Sequence, residues 1–252
     1  MNSTSFDIET IRTHLENIIK ETFDIIDELY DTNKEDSKGT FVNKRSRLVF
    51  PKYREKDKNR KNEIRLSEQE LRFLFIERFN KYCEKNNVNL FYSIETPSEE
   101  PYKFGKESKE HCEKGGVSAQ FDMVIYNKNK ERVGLIEFKN NSGKSGEHEK
   151  DFLKLSVEGG GKLCYFISIA KASNSGTLGE TNNSKGIIHK FKEVAKNGKI
   201  SFDNITYICH CLDDHNGKGF KTIFAGTIKS NFPGWVKKDE LFKNDHHHPS
   251  RN

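Results

Sequence analysis

Apolar residues recur at alternating three- and four-residue steps along residues 6–31. They are Ile8, Ile11, Leu15, Ile18, Ile25 and Leu29, with Thr22 in the one polar slot. This is the period of one face of an α-helix. Ile19, Phe23, Ile26 and Tyr30 widen the stripe. A wide stripe packs on its own domain more readily than it forms a coiled coil; a homodimer through residues 6–31 is the alternative. Residues 32–46 are polar with Gly39 and predict a loop, and Phe41–Tyr53 predicts a short strand ending at Pro51. Ser67-Glu68-Gln69-Glu70 opens a second helix, with Ser67 and Glu70 spaced as a capping box. It runs to about Lys85, with Leu71, Leu74, Phe75, Phe79 and Tyr82 toward the core.

The pattern then changes to strands. Leu90–Thr96 is one, ended by Pro97, and residues 97–117 predict a long loop. Phe121–Tyr126 and Leu135–Lys139 flank the polar connection Asn127–Glu131 and predict a hairpin. A Gly/Ser-rich turn, Asn140–Gly146, leads to a helix over residues 147–157, stopped by Gly159-Gly160-Gly161. Leu163–Ala170 is apolar but for Ser168, as in a strand buried on both faces. A helix over residues 185–197 and strands over Asn204–Leu212 and Lys221–Ile228 follow. This order predicts an α/β fold with a mixed central sheet flanked by helices. The expected division is an N-terminal helix and basic linker (1–60), the α/β domain (61–240) and a disordered tail (241–252) carrying His246-His247-His248.

Composition narrows the class. No apolar run in the 252 residues approaches the roughly 20 that a membrane span needs. No basic start followed by an apolar block marks a signal peptide. The five cysteines (Cys83, Cys112, Cys164, Cys209, Cys211) are odd in number and unpaired in spacing, which fits a reduced, cytoplasmic compartment. Net charge is only +5, but Lys52, Arg54, Lys56, Lys58, Arg60 and Lys61 crowd together. Such a run can track a phosphate backbone or serve as a solvated linker.

The candidate chemistry sits in the hairpin. Asp122, Glu137 and Lys139 interrupt its apolar strands. Side chains alternate along a strand, so Glu137 and Lys139 share a face. Across a short turn, Asp122 falls nearly opposite Glu137. Two carboxylates and an ammonium on an apolar sheet are costly to bury alone. A divalent cation between the carboxylates removes most of that cost, an arrangement suited to metal-assisted hydrolysis of a phosphodiester.

Glu70 in a helix, Asp122 in a strand, Glu137-Phe138-Lys139 in the next strand and Lys154 in the next helix resemble the PD-(D/E)XK nuclease superfamily. The resemblance covers residues 65–170 and implies a restriction endonuclease-like αβββαβ core. The chain departs from the pattern at Phe121, where the superfamily name carries a proline. The resemblance implies a metal-dependent nuclease, most simply a DNA endonuclease leaving 5′-phosphate and 3′-hydroxyl ends. It assigns Asp122, Glu137 and the Phe138 backbone carbonyl to Mg²⁺ or Mn²⁺. It assigns Lys139 to the attacking water and the developing phosphorane charge, Glu70 to support of the metal site, and Lys154 to the neighbourhood of the scissile phosphate.

Each assignment has a plainer alternative. Glu70 can be only the capping residue, with Glu68 or Glu77 as the carboxylate near the site. Lys154 can be a solvated helix lysine paired with Asp151, one turn earlier. The central trio can be a structural ion network on a catalytically inactive, nucleic-acid-binding module. Glu158-Gly159-Gly160-Gly161-Lys162-Leu163 lacks the spacing of a phosphate-binding loop. Cys209-His210-Cys211 reads as core packing rather than zinc, since a strand turns His210 away from both thiols. Cys83 and Cys164 read as buried apolar residues, and His148 as a solvent-exposed histidine.

Overall fold

The computed structural model describes residues 7–35, 45–53, 64–65, 67–104, 109–111, 115–140, 145–172, 180–181, 184–185, 204–213 and 223–227. These form two units, Met1–Phe91 with Tyr126–Glu131, and Tyr92–Ile125 with Arg132–Asn252.

The first unit holds α1 (Ile8–Glu35) and α2 (Glu68–Asn86). Asp7 opens α1: its carboxylate accepts from the Glu9 N–H (3.3 Å) and its carbonyl from the Ile11 N–H (3.2 Å). The apolar stripe of α1, from Ile11 through Tyr30, is buried within this chain at 0–1% exposure. Thr22, the polar slot, is buried too, and its hydroxyl donates to the Ile18 carbonyl at 2.7 Å. That bond settles the hydroxyl inside the helix. From Ile11 to Tyr30 the stripe is therefore spent on the chain's own core. α2 begins with the expected capping box at Ser67 and Glu70, and ends where Asn87 takes a left-handed conformation (φ 52°). α2 groups with α1 in this unit. The predicted strand Phe41–Tyr53 is absent among its described residues, which make only an isolated bridge from Lys52 to Ile64.

The second unit is built on a mixed sheet. Its strands are β1 (Phe91–Phe104), β2 (Lys109–His111), β3 (Val117–Tyr126), β4 (Arg132–Asn140), β5 (Leu163–Ala172), β8 (Ile205–Asp213) and β9 (Ile223–Thr227), in the order β2-β1-β3-β4-β5-β8-β9. β6 (Glu180–Thr181) and β7 (Ser184–Lys185) form a separate small hairpin. β4, β5 and β8 run parallel, and α3 (Ser145–Glu158) crosses between β4 and β5. β5 is buried from Leu163 to Ala170, as its continuous apolar run predicts. Among the described residues no helix is long and apolar enough to cross a membrane. The helix over 185–197, most of the basic run (Arg54, Lys56, Lys58, Arg60, Lys61) and the tail 241–252 lie outside the described residues.

The expected loop 97–117 is largely strand. β1 continues through Pro97 and Pro101, and β2 returns along it. Proline cannot donate to a ladder, and side chains repair the interruption. Glu158, from the end of α3, accepts from the backbone N–H groups of Glu99 (3.1 Å) and Glu100 (3.2 Å) and from the Tyr102 hydroxyl (3.0 Å). Arg132 stands 3.7 Å from the same carboxylate. The hydroxyl of Ser98 accepts from the Ala119 N–H of β3 (2.8 Å). Burial and the Glu158 charge hold the Tyr102 phenol far above its usual range, so it stays a donor.

Glu158 is thus a buried pin between α3 and β1. Glu158→Ala strands two backbone donors and a phenol, and we expect it to lower stability by about 3–5 kcal/mol, the range for removing one partner of a buried charged contact. Urea unfolding measures this; a loss under about 1 kcal/mol would mean that the contacts are dispensable.

α3 stops where expected. A Cβ on Gly159 would meet the Leu155 carbonyl at 2.4 Å and the Cys164 sulfur at 2.6 Å, so only glycine allows β5 this close to the helix end.

Candidate active site

Three elements of the second unit position the site. β3 supplies Asp122, β4 supplies Glu137, Phe138 and Lys139, and α3 covers one face of the sheet. On that face Glu137 is in register with Phe166 of β5, which is in register with Tyr207 of β8. Phe152 of α3 stacks on Phe166 (ring centroids 4.5 Å, 12°), fixing the helix against this row. Lys139, next along β4, is in register with Ser168, whose hydroxyl meets the Tyr207 hydroxyl at 2.9 Å.

Period two on β4 and helical period on α3 bring their polar residues together. Lys154 Nζ contacts Glu137 Oε1 (2.5 Å), Asp151 Oδ1 (3.0 Å) and, as donor, the Gln120 carbonyl (2.7 Å). Lys139 Nζ contacts the other Asp151 oxygen, Oδ2, at 3.0 Å. Side-chain exposure is 2% for Glu137, 6% for Lys154, 10% for Asp151 and 17% for Lys139. The cluster is therefore nearly dry, with Lys139 its most accessible charge.

Asp122 enters from the other side. Its Oδ2 accepts from the Phe138 N–H at 2.8 Å, tying a β3 side chain to the β4 backbone. The N–H and C=O of one strand residue leave on the same edge. The Phe138 carbonyl therefore also lies on the edge of β4 that faces Asp122.

The electrostatics follow from burial. The Glu137 carboxyl is pushed well above the usual range, first by burial, then by the charge of Asp151, with Asp122 adding to it and Lys154 opposing. Burial works against the Lys154 ammonium, but Glu137 and Asp151 outweigh it and hold its pKa above the ordinary lysine value. Ionised together, three carboxylates (Asp122, Glu137, Asp151) would outnumber two ammonium groups (Lys139, Lys154) by one negative charge, and this crowding adds to burial in raising Glu137.

That excess, on hard oxygen donors, suits a divalent cation of the Mg²⁺ type. The fit rests on two carboxylates and a backbone carbonyl. Among the described residues no three His, Cys, Asp or Glu side chains lie close enough to hold an ion by themselves.

The sequence-derived residues fare differently. Asp122, Glu137, Lys139 and Lys154 come together. Lys154 is a buried partner of both Glu137 and Asp151, not a solvated lysine. Glu70 sits in the first unit, where its carboxylate accepts from the N–H of Ser67 (2.9 Å) and from the Ser67 hydroxyl. Its observed contacts are those of a cap. Glu77 accepts from Ser46 (2.8 Å) and pairs with Arg78 and Lys81 (both 2.7 Å). His148 is a correction: it is 3% exposed and lies against the Phe166 ring at 5.5 Å. Asp151 was read only as a pairing partner, yet it touches both lysines. His148, Asp151, Lys154 and Glu158 recur at steps of three and four along α3, a polar stripe that by itself reads as a solvated face.

Cys209, His210 and Cys211 are buried in β8, and both cysteines are free thiols. They are core residues, as the strand parity indicates. Cys164 is buried and Cys83 half-buried.

No family model, curated protein or solved structure matches this chain.

Proposed function

We propose that this chain is a metal-dependent nuclease of the PD-(D/E)XK kind that hydrolyses phosphodiester bonds, with DNA as the first substrate to test. One observation carries the reading: Asp122, Glu137, Lys139 and Lys154 converge where β3, β4 and α3 meet. Asp122, Glu137 and the Phe138 carbonyl would hold Mg²⁺ or Mn²⁺. The chemistry such a cation supplies is Lewis-acid: a more acidic water and relief of charge on the phosphoryl oxygens.

The remaining steps belong to side chains. Lys139, the accessible ammonium, donates to the attacking water or to a non-bridging phosphate oxygen, where negative charge grows in the transition state. Lys154 adds fixed positive charge one layer deeper. Asp122 holds the β4 backbone at Phe138. The Phe152–Phe166 stack keeps the surroundings dry, so each charge acts in a low dielectric.

The second reading is a structural ion network on a nuclease-like fold without catalysis. It is favoured by one fact, that Glu137 already has a cationic partner in Lys154. Purified protein should be incubated with supercoiled plasmid, linear duplex, single-stranded DNA and RNA, with Mg²⁺ or Mn²⁺ and with EDTA as control. The expected result is cleavage of at least one substrate that EDTA abolishes. Intact substrates throughout would select the second reading.

A further inference from the structure

An ammonium has three N–H donors. In this structure Lys154 has three acceptors around it: Glu137, Asp151 and the Gln120 carbonyl. One of them, Glu137, is also a proposed metal ligand. Lys154 and a divalent cation would then compete for the same carboxylate. Two cations on one carboxylate repel in a site this dry. Lys154 cannot simply retreat to water, because its side chain is 6% exposed. It needs a second counter-ion within reach.

Asp151 meets that need. It lies three residues earlier on α3, so the helix itself sets the pairing. Its two oxygens are divided, Oδ1 to Lys154 and Oδ2 to Lys139, each at 3.0 Å. We infer that Asp151 is the positioning residue of this site, the counter-ion that keeps both lysines in place when Lys154 gives up Glu137 to an incoming divalent cation. The inference rests on the metal site proposed above and adds to it a residue that the resemblance does not supply. Lys154 would leave Glu137 and keep Asp151 and the Gln120 carbonyl, two of its three acceptors. Lys139 would stay fixed for the substrate throughout.

Calorimetric titration with Mn²⁺ alone, without nucleic acid, tests this. Competition for one group couples two cations by about 5–150-fold in affinity. Lys154→Met should bind Mn²⁺ at least about fivefold more tightly than wild type, the lower end of that range. Lys139→Met removes the same charge from Asp151 and leaves the Lys154–Glu137 pair in place, so it should change affinity by less than about threefold, below the coupling range. Asp151→Asn should weaken binding, because Lys154 then has Glu137 as its sole carboxylate; Asp151→Glu should restore it. In the Lys154→Met background, the further effect of Asp151→Asn should shrink to less than about twofold, since groups that act through one another are not additive.

Lys154→Met leaves the buried Glu137 without its cation and Asp151 with Lys139 alone, and can lose stability. Thermal melts with and without Mn²⁺ therefore accompany the titrations, and the Mn²⁺-induced rise in Tm should be larger in this variant than in wild type. Equal tightening in Lys139→Met and Lys154→Met, or full additivity of Asp151→Asn with Lys154→Met, would show bulk electrostatics and overturn the inference while leaving the metal site standing. Absence of Mn²⁺ binding in every variant would remove the site itself, and the inference with it.

Discussion

Glu137→Gln and Asp122→Asn should each reduce phosphodiester cleavage to the EDTA background while the fold survives. The two substitutions keep the shape of the side chain and remove its charge. For Glu137 the fold should tolerate this well. Burial and the neighbouring carboxylates already push this group toward its neutral form, and glutamine resembles that form. Lys154 would keep Asp151 and the Gln120 carbonyl. For Asp122, asparagine retains an oxygen for the Phe138 N–H. Alanine does not, and Asp122→Ala should cost about 1 kcal/mol through that lost bond. Activity should therefore fall alike in Asn and Ala, whereas stability should fall only in Ala. Plasmid cleavage and urea unfolding on the same preparations measure both. Cleavage by Glu137→Gln at more than a few per cent of wild type would remove Glu137 from the chemistry.

Lys139→Ala should lower kcat by about 10²–10³, the cost of removing one preorganised charge from a transition state. Its effect on Mn²⁺ affinity should stay small, because Lys139 pairs with Asp151 while Lys154 is the cation on Glu137. The separation of rate from metal binding is the diagnostic. Lys139 is also the most exposed charge of the cluster, so its loss leaves no charge stranded in the core and global stability should hold. Single-turnover cleavage with saturating Mn²⁺, set beside calorimetry, makes the comparison. A Lys139→Ala protein with near-normal turnover would refute the role.

Local chemistry in the sequence determined much of this molecule. The three- and four-residue steps of α1 fix a helix with one apolar face. Ser67 and Glu70 fix where α2 starts. The continuous run Leu163–Ala170 can only be a strand covered on both sides, and Gly159 marks the end of α3. Parity alone puts Glu137 and Lys139 on one face of β4 and separates His210 from Cys209 and Cys211. These features depend on neighbours within a few residues, so the chain's own period carries them.

Other features were decided by contacts between distant segments. Pro97 and Pro101 read locally as the end of a strand. They persist inside β1 because Glu158 arrives from the end of α3 to take up the Glu99 and Glu100 N–H groups, while Ser98, within β1, accepts from the Ala119 N–H of β3. The stripe of α1 favours a core over a dimer by its width alone, and the folded chain buries it from Ile11 to Tyr30. Glu70 has the same local signature as cap or as site residue; its carboxylate is on Ser67. His148 and Asp151 read locally as residues of a solvated helix face, and Lys154 as either a site residue or a solvated lysine. They are buried because α3 lies with that face on β4 and β5, and partners that make such burial tolerable, Glu137, Lys139 and the Gln120 carbonyl for the charges and Phe166 for the imidazole, stand on strands that the sequence separates from them.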